Sequence, residues 1–266
     1  LITVGYSANA LGGAGGPLAV LLIAIVAAEL GKAVSKETKV DILVTPLVTI
    51  FAGVGLSMLI AAPIGAAASQ VGTLIMWATE QAPLVMGILV SVIVGVALTL
   101  PISSAAICAA LGLTGLAGGA AVAGCCAQMV GFAVMSYKEN GVGGLVSQGL
   151  GTSMLQMGNI IKNPRIWIAP TLASAITGPL ATCLFHFEMN GAAVSSGMGT
   201  CGLVGQIGVY TGWVSDIAAG VKTAITPMDW AAMVLLCFVL PAVLSVIFCE
   251  IERKLGWIKE GDLKLN

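Results

Sequence analysis

Between Asp41 and Lys138 the only charged residue is Glu80. A stretch of this kind cannot cover a water-facing surface, because a soluble domain carries roughly 25% charged residues. The whole chain carries 9%, against 58% hydrophobic residues, so it reads as an integral membrane protein. Its 35 glycines and 5% aromatic content suit helices that approach closely at small residues. They do not suit a β-barrel, which needs alternation and aromatic girdles. The net charge of −1 leaves no footprint for nucleic acid, and none is expected as a partner.

A spanning helix needs roughly 20 apolar residues, and on that scale the chain divides into about six or seven spans. Gly15 to Lys32 is a short first span, with no basic region before it, so no ordinary signal peptide is expected. Ile42 to Ala68 is long enough to cross with tilt despite Pro46 and Pro63. Gln70 to Pro83 is amphipathic and too short to cross, and is expected as a separate piece. Leu84 to Leu100, Trp167 to Phe187 and Met228 to Glu250 are further spans. Ser103 to Ser136 is apolar but rich in glycine, and reads either as one helix or as two broken halves. It contains a GxxxG spacing at Gly115 and Gly119. Gly141 to Ile161 is weakly amphipathic, and Asn190 to Trp213 is too polar for a lipid-facing helix. The expected fold is therefore all-α, a polytopic helical bundle with re-entrant or broken glycine-rich segments. Irregular backbone at membrane depth is tolerated only where protein or water covers it, so an enclosed polar cavity is expected. The chain reads as one transmembrane domain over residues 1–266, with 251–266 a short cytoplasmic tail. Lysines and arginines gather in that tail and in the Lys32–Asp41 turn, which puts both on the cytoplasmic side.

Polar residues inside apolar runs are the candidate ligand-binding groups, because an unpartnered polar group in hydrocarbon costs several kcal/mol. Ser103 and Ser104 follow Pro101. They serve either to satisfy carbonyls freed at the end of a helix or to present hydroxyls to a cavity. Asn163 and Arg165 open the run NPRIWIAPTLASAITGP, with Thr171 inside it. That run reads either as a loop entering a helix or as a broken backbone beside a polar cavity, and Arg165 either as an interfacial anchor or as a donor fork for an anion. His186, Glu188, Ser195, Ser196, Thr200 and Gln206 lie in a third, glycine-rich cluster. Glu29 is best read as a helix-end partner of Lys32. The seven cysteines have no metal spacing and read as free, buried, small hydrophobes. No metal or cofactor is expected. No P-loop is present, and the single histidine argues against a phosphohistidine relay within the chain.

Four stretches, in order, resemble the membrane IIC component (EIIC) of the bacterial phosphotransferase system. They are ELGKAVSKETKVDILVTPLVTI from Glu29, LPISSAAI from Leu100, NPRIWIAPTLASAITGP from Asn163, and GMGTCGLVGQIG from Gly197. The likeness covers most of the chain and is narrower still to the stand-alone branch that includes the perfringolysin regulator-like proteins. It implies a homodimeric permease in the bacterial plasma membrane that binds a sugar or related small polar solute in a deep cavity. It also implies that separate EIIA and EIIB proteins supply any phosphoryl group. In the broader glucose-type family an Asn-Glu-Pro motif leads into a proline-containing apolar run, and its glutamate contacts sugar hydroxyls. Here Asn163 is followed by Pro164 and Arg165, without that glutamate. The departure leaves room for a sensor or regulator, or for a carrier that works without phosphorylation.

Overall fold

The computed structural model describes residues 16–35 and 40–265. The signal-peptide expectation, and the basic positions Lys36 and Lys39, fall outside those residues. The described residues are 82% helical and contain no strand. The chain forms two compact units, one holding the described residues up to Thr73 with Ala109–Leu111, the other Leu74–Cys108 and Gly112 onward.

The first unit pairs α1 (Gly16–Val34) with the part of α2 (Asp41–Gln81) up to Thr73. Ala19, Ile23 and Ala61 are buried between them, beside Leu56, Ile60 and Ile64. Gly31 lets the helices approach, because a Cβ there would run into Thr49 Oγ1. Glu29 and Lys32 pair at 4.0 Å on the exposed end of α1, too exposed to add much stability. The expected break near Ala68 is corrected: α2 runs unbroken for 41 residues, through the stretch from Gln70. No proline interrupts it between Pro63 and Pro83. Its hydroxyls are satisfied by its own carbonyls, Thr73 donating to Ser69 (3.0 Å) and Thr79 to Ile75 (2.7 Å).

In the second unit, α3 (Pro83–Thr99), α5 (Gly115–Met135), α8 (Pro164–Leu184) and α10 (Pro227–Lys254) pack together, with shorter pieces between. Four described helices are long and apolar enough to cross a bilayer: α2, α5, α8 and α10. The stretch from Ser103 is two pieces, α4 (Ser104–Leu111) and α5, parted at Gly112–Thr114. The stretch from Gly141 gives no span. It breaks into α6 (Tyr137–Val146), a wide turn at Ser147–Gly151, and α7 (Met157–Lys162). Only α9 (Val204–Ala218) is regular in the polar segment that follows α8.

α5 is the axis of this unit, and every residue from Ala117 to Ala133 is buried. Small residues bring backbones into contact: a Cβ at Gly124 would overlap the Ser91 carbonyl, and one at Gly178 the Gly87 carbonyl. The GxxxG pair meets not a second helix but residues 187–189. Gly115 and Met189 exchange backbone hydrogen bonds at 3.0 Å each, and Gly119 sits against the Phe187 carbonyl. A fully buried carboxamide, Gln128, ties three helices. Its Oε1 accepts from Trp167 Nε1 (3.0 Å) and Thr99 Oγ1 (3.3 Å), and its Nε2 donates to Thr171 Oγ1 (3.2 Å). Thr99 also bonds Ser153 (2.8 Å), and Ser91 donates to the Ser174 carbonyl (2.8 Å).

The close α3–α5 contact makes a specific demand. Gly124→Val should lower the detergent-state stability by about 3 kcal/mol or abolish folding, since the obstacle is backbone. Gly55→Val, where nothing lies within 4 Å of the new Cβ, should shift it by no more than about 0.5 kcal/mol. Chemical denaturation of both variants compares them directly, and equal losses would refute the packing account.

Candidate solute-binding site

The largest concentration of charge inside a concave surface lies where α9 ends and α10 begins. Phe185, His186, Phe187, Glu188, Trp213, Asp216, Lys222 and Asp229 line a cavity of about 290 Å³. That is near the lower end of the roughly 300–1,000 Å³ typical of ligand pockets. Three local features build it. Trp213 and Asp216 are three residues apart on α9, so they share one face. Thr226 and Asp229 form a reciprocal cap at the start of α10, which fixes the Asp229 carboxylate. His186 turns the chain out of α8 with φ 43°, a left-handed conformation rare for residues other than glycine.

The charges are only partly neutralised. Lys222 pairs with Asp229 at 2.7 Å and lies over the Trp213 ring at 5.3 Å. Asn190 Nδ2 donates to both Glu188 Oε2 (3.0 Å) and Asp216 Oδ2 (2.9 Å), holding the two carboxylates on one amide. Glu188 Oε1 and Asp216 Oδ1 have no partner among the described residues. The floor is apolar: Phe187, Met189, Val209, Ala232 and Leu236 form a buried cluster there. Two acceptor oxygens beside an indole, over an apolar floor, suit a ligand with several hydroxyls on an apolar ring.

Of the residues singled out from sequence, the structure brings only His186 and Glu188 to this cavity. Ser104, Ser196 and Thr200 are buried, and each donates to a carbonyl: Ser104 to Gly197 (2.7 Å), Ser196 to Leu113 (2.6 Å), Thr200 to Gly149. They seal the broken backbone, as irregular structure in a membrane requires. Ser103 is exposed and its Oγ accepts from the Ala106 N–H at the start of α4. Ser195 is buried beside Ser196. Gln206 donates to Cys126 Sγ, and its Oε1 is buried without a partner among the described residues. Thr171 receives the Gln128 amide and borders an apolar slot with Val96, Trp167 and Leu172. Asn163 and Arg165 face residues 255–265. Asn163 donates to the Trp257 carbonyl (2.9 Å) and Asp262 (2.9 Å), and Arg165 is exposed over the Trp257 ring at 5.6 Å. Locally the NPR stretch is a helix start: the Asn163 side chain accepts from the Arg165 N–H, with proline in the first turn. The sequence reading missed Trp213, Asp216, Lys222 and Asp229. The cap pattern Thr-Pro-Met-Asp and the spacing of Trp213 and Asp216 were signals for three of them.

The cysteines are free among the described residues. Five are buried, but Cys183 is exposed and Cys201 half-buried, which corrects the expectation that all seven are buried. Burial pushes the Cys108 thiol up to about 12, so it stays protonated and unreactive.

A family model described as "Phosphotransferase system, EIIC" matches residues 2–265. The chain belongs to this family. It is thus a membrane-located permease component of that system, and the family works with EIIB-type partners. No curated protein and no solved structure matches the chain.

The sealing hydroxyls and the cavity carboxylates should respond differently to mutation. Ser196→Ala and Thr200→Val should each cost about 1–3 kcal/mol of stability, by leaving a buried carbonyl unpaired. Neither should change the affinity for a ligand bound at the Asp216 cavity. Thermal unfolding together with ligand titration of each variant checks this. A large affinity loss with unchanged stability would return these residues to the binding site.

Proposed function

We propose that this phosphotransferase permease component binds a sugar or a related small polar solute at the Glu188–Asp216–Asp229 cavity and translocates it, as a homodimer. The observation that carries the reading is the pair of free acceptor oxygens, Glu188 Oε1 and Asp216 Oδ1, held on one amide beside Trp213. A carboxylate accepts hydroxyl hydrogen bonds more strongly than a neutral group does. The indole and the Phe187 floor would take the C–H face of the ring. Lys222, paired with Asp229 over the Trp213 ring, would supply a donor. Any phosphoryl group would come from a separate EIIB-type protein docked on the cytoplasmic side.

The charge distribution supports an outward-facing mouth for this cavity. Asp229 and Arg253 stand near opposite ends of α10, about 36 Å apart at 1.5 Å per residue. Lys138 and Arg253 pair with Glu250 and Glu139 at the Arg253 end. Lys162, Arg165, Lys254, Lys259 and Lys264 gather at that same end, whereas the cavity end has Lys222. The positive-inside rule would then put the Arg253 end on the cytoplasmic side. A second reading, a carrier or regulator without phosphorylation, is favoured by one observation. Asn163 and Arg165, in the stretch that resembles the larger family's Asn-Glu-Pro motif, are tied to Trp257 and Asp262, and the motif's glutamate is absent.

Screening the purified protein by thermal shift against neutral sugars, sugar acids and nucleosides should give a stabilising hit, since a ligand that binds only the folded state raises Tm by mass action. Asp216→Asn and Glu188→Gln should each weaken that hit roughly tenfold or more, about 1.4 kcal/mol, with little change in the unliganded Tm. Undiminished affinity in both variants would remove the cavity as the binding site. Uptake of the hit by proteoliposomes lacking EIIB would decide for the second reading.

A further inference from the structure

Residues 255–265 leave the end of α10, turn at Gly256 and Gly261, and fold back onto α6 and α7. Leu263 is fully buried and Ile258 nearly so, in a cluster with Phe132, Met135, Ile160 and Ile166. The backbone of this segment is gripped by side-chain amides. Asn140 Nδ2 donates to the Leu263 carbonyl (2.8 Å), and Asn140 Oδ1 accepts from the Leu265 N–H (2.8 Å). One carboxamide thus makes the two main-chain bonds, to one carbonyl and to the N–H two residues on, that a neighbouring strand would make. Gln156 Nε2 donates to the same Leu263 carbonyl (3.0 Å), and Asn159 Nδ2 to the Lys264 carbonyl (2.9 Å).

Two of the gripping amides, Gln156 and Asn159, are held in place from behind. Asn159 Nδ2 donates to Gln156 Oε1 (2.8 Å), Gln156 Nε2 to Gln148 Oε1 (2.9 Å), and Gln148 Nε2 to Ser136 Oγ (2.8 Å). The groove is therefore ordered by bonds that the segment does not make, which is preorganisation for a ligand. Lys259 and Lys264 make no ion pair among the described residues, and Asp262 is met by Asn163 Nδ2 and the Lys259 N–H. Main-chain hydrogen bonds with one deep leucine pocket are how grooves that recognise extended peptides combine affinity with selectivity. When the segment leaves, each freed amide can pass to water, and only Ile258 and Leu263 must leave the apolar cluster.

We propose that the groove bounded by Asn140, Gln156 and Asn159 is a peptide-binding site, and that residues 255–265 are its resident, releasable ligand. The groove also adjoins the broken backbone. Gln148, bonded to Gln156, lies within the Ser147–Gly151 turn, whose Gly149 carbonyl accepts the Thr200 hydroxyl. Release of the segment thus acts on the turn that seats residues 193–203.

The test uses the full chain with Leu263→Asp, whose own segment cannot seat, and a fluorescent synthetic peptide of the natural sequence of residues 255–265. Anisotropy should show saturable binding to this variant, and at least roughly tenfold weaker binding to the unaltered chain, whose groove is filled. Adding Asn140→Ala and Asn159→Ala to the variant should abolish it. A variant that keeps its cooperative thermal transition yet binds no peptide overturns the proposal. Should the variant not fold, hydrogen exchange on the unaltered chain decides. A releasable segment exchanges its Leu265 amide at least roughly tenfold faster than the Asn163 amide, which is bonded to the Asn159 carbonyl at the same end. Equal rates for the two amides would mean the segment is a fixed part of the fold.

Discussion

The fold of the second unit depends on one buried carboxamide. Gln128 has no access to solvent, yet both ends of its amide are bonded, to Trp167 and Thr99 at the oxygen and to Thr171 at the nitrogen. A polar group in so apolar a setting is costly unless every bond is made. It therefore fixes register as well as position, since sliding α3 or α8 along α5 would strand several donors at once. Close packing at Gly124 and Gly178 brings the helices near enough for those bonds. Glycine contacts alone, between apolar helices in an apolar solvent, would not choose one register over its neighbours.

The irregular segments follow the same rule by another route. Where the helices break, at residues 112–114 and 193–203, hydroxyls of Ser104, Ser196 and Thr200 reach across to carbonyls that would otherwise lack a partner, and Gly115 and Met189 complete each other. Those carbonyls are thereby satisfied within the protein, while Gln206 Oε1 and Ser245 Oγ stay buried without a partner among the described residues. The unneutralised polar atoms of Glu188 and Asp216 are left at one end of the bundle. Polar residues in the middle of this chain hold it together, and polar residues at the end of α9 are the ones open to a ligand.

This division explains what could be read from sequence. The helical class was legible from charge scarcity alone, and the break after Pro101 from Ser103, Ser104 and the glycines that follow. The continuity of α2 was not, because Ser69, Gln70 and Thr73 look like a boundary unless one knows that Thr73 bonds back onto its own helix. His186 and Glu188 stood out as polar residues after an apolar run, and they do line the cavity. Asp216 and Asp229 did not, since their meeting depends on how α9 and α10 come together. The partners of Asn163 were equally hidden: Trp257 and Asp262 lie more than ninety residues away, beyond the reach of any local pattern.

The unbroken course of α2 sets a limit on how this protein can sit in a bilayer. Its 41 residues rise about 60 Å along the helix path, whereas the hydrocarbon layer is about 30 Å thick. To keep that whole length among acyl chains a straight helix would have to lean by about 60°, well past the roughly 0–40° at which spanning helices tilt. Bending at Pro46 or Pro63 redirects the helix without shortening it. Some three turns or more must therefore emerge among lipid head groups or water. The portion from Ser69 to Gln81, with Gln70, Thr73, Glu80 and Gln81, has the side chains for that setting, and would act as a depth gauge that fixes how far the helix sinks.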